Sequence, residues 1–76
     1  MFTATQAQEA IARINAMTTL EDLNDMGAEL NVSREARDRW TRFYNRANTP
    51  SRKGEWMEKI KMDLSSHVVR NSYNED

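Results

Sequence analysis

The chain has 76 residues, with 11 Lys and Arg against 12 Asp and Glu, one His and no Cys. That length allows one domain whose core is only just large enough to hold a fold, and the lack of Cys excludes disulfides, thiolate nucleophiles and thiolate zinc sites. A net charge of −1 excludes a disordered polyelectrolyte. No run approaches the roughly 20 apolar residues of a membrane span, and Met1-Phe2-Thr3-Ala4-Thr5-Gln6 has no basic stretch leading into an apolar one. A folded cytoplasmic monomer with no membrane contact is expected.

Apolar residues recur with helical rather than strand spacing throughout. The first helix is predicted from Thr5 to Met17, with Ala7, Ile11, Ile14 and Met17 on its inner face and a capping box between Thr5 and Gln8. Thr18-Thr19-Leu20-Glu21 forms a second capping box, opening a helix whose stripe is Leu20, Leu23, Met26 and Leu30. Glu21, Asp22 and Asp25 place negative charge near the start of that helix, where the macrodipole favours it, and Gly27 softens its middle or end. After the connection Asn31-Val32-Ser33, with Ser33 as N-cap, a third helix carries Ala36, Trp40, Phe43, Tyr44 and Ala47, the clearest amphipathic pattern in the chain. Trp40 and Phe43 are expected in the core. Pro50 ends this helix and suits the first position of a fourth, in which Trp56, Ile60, Leu64 and Val68 share one face with Met57 beside them. Met17, Met26 and Met57 fall at core positions. Short connections favour antiparallel neighbours, so the expected fold is all-α, a compact four-helix bundle over residues 1–70 with a frayed acidic tail over 71–76.

Catalytic chemistry has little to stand on in this sequence. His67 follows Ser65 and Ser66, but adjacent helical residues do not face one another and no strained Gly-rich turn presents either serine. Asp22, Asp25 and Glu29 share a helix face without a His or Cys partner or EF-hand spacing, which reads as solvated charge rather than a metal site. Gly27 and Gly54 stand alone, so there is no phosphate loop. No enzyme, cofactor or metal is expected.

The charge is unevenly distributed. Residues 1–31 hold one Arg against five carboxylates, net −4; residues 32–53 hold seven cations against two carboxylates, net +5; residues 54–76 hold three against five, net −2. Six of the seven central cations are Arg, whose planar fork pairs with phosphate at two points and stacks on bases. On a helical wheel Arg39, Arg42 and Arg46 occupy one flank of the third helix, and Arg52 and Lys53 continue it past the Pro50-Ser51 turn. Such a stripe suits a phosphate backbone, with Tyr44 or Trp56 at its margin for an unpaired base. The competing reading is structural. Glu35 with Arg39 and Asp38 with Arg42 are acid-to-base pairs at i, i+4, and the acidic second helix can neutralise further arginines across the bundle.

With the chain's size and helical content, the stretch Arg37-Asp38-Arg39-Trp40-Thr41-Arg42-Phe43-Tyr44 resembles the short companion proteins of the UvsW recombination helicase of large lytic phages. Through them it is similar to the helical nucleic-acid-binding modules appended to RecQ-type helicases. The resemblance implies an accessory role in DNA replication, recombination or repair, in the host cytoplasm, beside a helicase or other protein partner. A free-standing DNA binder carries more positive charge than this chain, so the expected contact with single-stranded or branched DNA is weak or helicase-assisted. The alternative is a small protein-protein adaptor or inhibitor that docks through the acidic second helix or a Trp56-Met57 edge.

Overall fold

In the computed structural model, which describes residues 1–73, every helix opens on a hydroxyl that accepts the amide of the third residue beyond it. Thr3 does so for α1 (Ala4–Ala16), Thr19 for α2 (Leu20–Glu29), Ser33 for α3 (Arg34–Arg46) and Thr49 for α4 (Pro50–Arg70). Each cap satisfies one of the amides that a helix start leaves unpaired. Two of the expected caps shift. The capping box of α1 joins Thr3 to Gln6 rather than Thr5 to Gln8, and α2 is capped by Thr19 rather than Thr18.

α2 closes in a Schellman turn: Val32 donates to the Gly27 carbonyl at 2.8 Å and Asn31 to that of Ala28 at 3.2 Å. Asn31 takes a positive φ of 64° there, a conformation Asn tolerates better than most residues. The turn directs the chain into α3 within a few residues.

The fold is an all-α four-helix bundle built on α4, against which α1, α2 and α3 all pack. At about 1.5 Å per residue, the 21 residues of α4 make a rod of about 31 Å. Ile60, Leu64 and Val68 on its inner face are almost wholly buried, and they meet Ala7, Ala10 and Ile14 of α1, Leu23 and Met26 of α2, Leu30 and Trp40. Met17 and Met57 pack against this cluster, as their spacing predicts, while Met1 and Met62 are exposed. Gly27 is buried in the last turn of α2, where its bare backbone admits the Trp40 ring and marks the close approach of α2 and α3. Asn24 Nδ2 donates to Thr41 Oγ1 at 3.0 Å across the same contact, and the Trp40 indole N–H donates to Asp63 Oδ2 at 3.0 Å, tying α3 to α4.

Residues 71–73, the start of the tail expected to fray, make regular contacts: Asn71 caps α4, and β2 (Ser72–Tyr73) runs parallel to β1 (Phe2–Thr3), with Phe2 N–H donating to the Asn71 carbonyl at 2.7 Å. Residues 74–76, the rest of that tail, lie outside the described residues. Phe43, expected in the core, is half-buried outside it and stacks on Trp56. The reason is helix length. Asn15, at the end of α1, accepts from Lys61 Nζ, so the N-terminal turns of α4 run past α1 and have α3 as their neighbour. Among the described residues no helix is long and apolar enough to cross a membrane.

Candidate nucleic-acid interface

α3 turns Trp40 into the bundle, so the residues on its opposite side face solvent by helical geometry. Arg39, Arg42 and Arg46 are all exposed there. From Arg39 to Arg46 the helix rises about 10.5 Å, the axial length of about three phosphates of one DNA strand. Arg52, in the first turn of α4, is also exposed.

Glu35 and Asp38 line a shallow groove with Arg39 and Arg42, but no carboxylate among the described residues makes an ion pair with the stripe. Among the described residues the ion pairs join Arg13 to Glu29 at 3.5 Å, Arg34 to Asp38 at 3.9 Å and Lys61 to Glu58 at 4.0 Å. The expected pairs of Glu35 with Arg39 and Asp38 with Arg42 do not form; Asp38 turns back to Arg34 instead. The acidic face of α2 is also directed elsewhere. Glu21 and Asp25 line a groove with Arg34, Arg37 and Asp38, and Arg37 donates Nε–H to the Val32 carbonyl at 3.3 Å. Arg39, Arg42, Arg46 and Arg52 thus have no carboxylate within salt-bridge distance among the described residues.

Lys53 stands apart from the other four. It is half-buried, its ammonium donates to the Tyr44 carbonyl at 3.1 Å, and it lies 4.5 Å from the centre of the Tyr44 ring. That carbonyl belongs to the last turn of α3, where the macrodipole favours a cation. Lys53 therefore acts as a clasp between α3 and α4.

An aromatic feature adjoins the stripe. The Phe43 and Trp56 rings are stacked, with centroids 4.9 Å apart and planes 8° from parallel. The Arg46 guanidinium carbon lies 6.0 Å from the Phe43 centroid and Lys59 Nζ 4.5 Å from that of Trp56. Sequence reasoning missed Lys59. The available signal is spacing: Arg46 and Lys59 each follow their ring by three residues, neighbours on a helix surface.

His67 is half-buried and donates Nε2–H to the Leu30 carbonyl at 2.8 Å, joining α4 to the C-terminus of α2. Asp22 and Asp25 are exposed, and Glu29 is engaged by Arg13. Among the described residues no three His, Cys, Asp or Glu side chains lie close enough to hold a metal ion. Comparison with known protein families, curated proteins and solved structures found no match to the chain.

Proposed function

We propose that the protein is a non-enzymatic module that binds single-stranded or branched DNA through Arg39, Arg42, Arg46 and Arg52. The observation that carries this reading is proximity along the chain: Arg39, Arg42 and Arg46 on one flank of α3 and Arg52 on the first turn of α4 all lie exposed with no carboxylate within salt-bridge distance among the described residues, whereas Arg13, Arg34 and Lys61 reach carboxylates and Arg37 and Lys53 reach carbonyls. Charge on the first turn of α4 supports it. Arg52 and Lys53 sit there with no acidic residue, an arrangement that opposes the macrodipole by about 0.3–1 kcal/mol per cation and that a bound phosphate reverses. The resemblance to helicase-associated modules adds a setting, accessory work beside a helicase in the cytoplasm.

The net charge of −1 keeps the expected affinity modest. Titration of labelled single-stranded and forked DNA across a salt series tests the reading. With about four phosphates engaged, log K falls against log salt with a slope of about −3 on single strands and −3.6 on duplex arms. Absence of binding at low salt overturns it. Binding unchanged by Arg42→Ala with Arg46→Ala does so too. If nuclease-treated lysate instead yields one stoichiometric protein partner and DNA does not bind, the adaptor reading replaces it.

A further inference from the structure

The Phe43–Trp56 pair lies outside the central hydrophobic cluster, at the part of the α3–α4 hairpin that runs past α1. In a parallel stack each ring has one face against the other and one turned away. A cation sits near each ring: Lys59 Nζ lies over Trp56 at 4.5 Å, and since Phe43 fills the space on one side of that ring the ammonium covers the other, while Arg46 lies 6.0 Å from the Phe43 centroid. Arg46 belongs to the arginine stripe as well, so the stripe and the aromatic pair form one continuous surface. Lys59 is exposed, and its ammonium is not within salt-bridge distance of a carboxylate among the described residues.

Resting on the nucleic-acid reading, we infer that Trp56, braced by Phe43, is a stacking platform that selects unpaired bases. A base of a single strand takes the outer face of Trp56 in place of the Lys59 ammonium, and Lys59 moves to the adjoining phosphate. The exchange is favourable in kind: an exposed ammonium over a ring is a weaker contact than a base stacked on an aromatic side chain. A paired base inside a duplex is stacked on both sides already and cannot enter, which leaves only the two terminal pairs of a short duplex with an open face. The occupant is thereby specified as a polyanion bearing flat, unpaired rings, which is single-stranded nucleic acid.

Tryptophan emission reads this step directly. The other tryptophan, Trp40, is buried with its indole N–H engaged by Asp63, so a bound base reaches Trp56 alone. The full chain is titrated at low salt with an oligothymidylate of about 15 nucleotides and with a duplex of equal length. Emission is followed beside the anisotropy of a label on the DNA. Quenching is expected with the single strand and not the duplex, and it disappears in Trp56→Phe, where the remaining Trp40 is silent. Trp56→Leu weakens single-strand binding by about tenfold or more and removes the preference over duplex. Lys59→Ala lowers the single-strand salt slope by about 0.7, one phosphate contact, and tests the exchange without disturbing the stacked pair should Trp56→Leu lose its helical signal. Single-strand binding by anisotropy with unchanged emission overturns the platform and leaves the arginine stripe standing. So does equal quenching by an oligoglutamate peptide. No binding of any DNA overturns both.

Discussion

Replacing Gly27 by alanine sets two opposed effects against each other inside one methyl group. Alanine is a better helix former than glycine by about 0.8–1.0 kcal/mol, and Gly27 has no positive φ to forbid it. The added Cβ, however, would lie 3.0 Å from Trp40 Cζ3 and 3.1 and 3.3 Å from Arg37 Cδ and Cγ. Neither neighbour yields freely. The Trp40 ring is buried and its N–H is held by Asp63, while Arg37 is anchored by its bond to the Val32 carbonyl. Overpacking of this kind costs about 1–3 kcal/mol, so the expected net result is a loss of about 1 kcal/mol, or about 4–8 °C in Tm for a domain this size. Gly54→Ala is the internal control. Gly54 is exposed on α4 with nothing within 4 Å of its would-be Cβ, so it keeps the propensity gain and Tm rises by about 4–8 °C. Thermal and urea unfolding followed by helical circular dichroism measures both. If Gly27→Ala stabilises as much as Gly54→Ala, the contact of α2 with α3 is not packed as described.

Thr19→Ala removes the α2 cap and lowers stability by about 1 kcal/mol, whereas Thr18→Ala stays within about 0.5 kcal/mol; urea midpoints separate the two threonines. Asp63→Ala leaves the Trp40 N–H without its partner and costs about 1 kcal/mol. Asp63→Asn keeps an acceptor for that N–H and unfolds closer to the parent, by the same measurement. Arg42→Ala with Arg46→Ala changes the unfolding free energy by no more than about 0.5 kcal/mol, while it lowers the single-strand salt slope by about 1.4.

The helices were legible because their signals are local and redundant. Ser33 and Thr49-Pro50 mark helix starts in both sequence and structure, and the spacing of Ile60, Leu64 and Val68 identifies the buried face of α4. The caps that shifted are those where two threonines lie close together. Thr3 and Thr5, or Thr18 and Thr19, offer similar local chemistry; at the first pair the deciding factor is the pairing of Phe2–Thr3 with Ser72–Tyr73, a contact between chain ends that no short window contains. The pairing of Asp38 failed for a related reason. Arg34 and Arg42 both lie four residues from it, and such exposed pairs differ by only a few tenths of a kcal/mol. Phe43 misled because helical periodicity gives the side of α3 it occupies but not how far α1 reaches along α4.

The charge arrangement at the α3–α4 corner makes little sense as a device for folding. Arg39 with Arg42, and Arg42 with Arg46, are like charges one turn apart, each pair unfavourable by about 0.2–0.5 kcal/mol. Arg52 and Lys53 oppose the dipole of α4. Lys53 is compensated by the Tyr44 carbonyl and ring, and Arg46 in part by the Phe43 ring and the C-terminal dipole of α3, which leaves Arg39, Arg42 and Arg52. In a domain whose core supplies only about 3–5 kcal/mol, the uncompensated repulsions are a sizeable fraction of the whole. They are tolerable because the buried cluster spans α1, α2, α4 and Trp40 and does not depend on that corner. Phosphates approaching that corner would relieve the repulsion, so under the proposed DNA-binding function the unfavourable electrostatics of the free protein would become part of the affinity for an anionic strand.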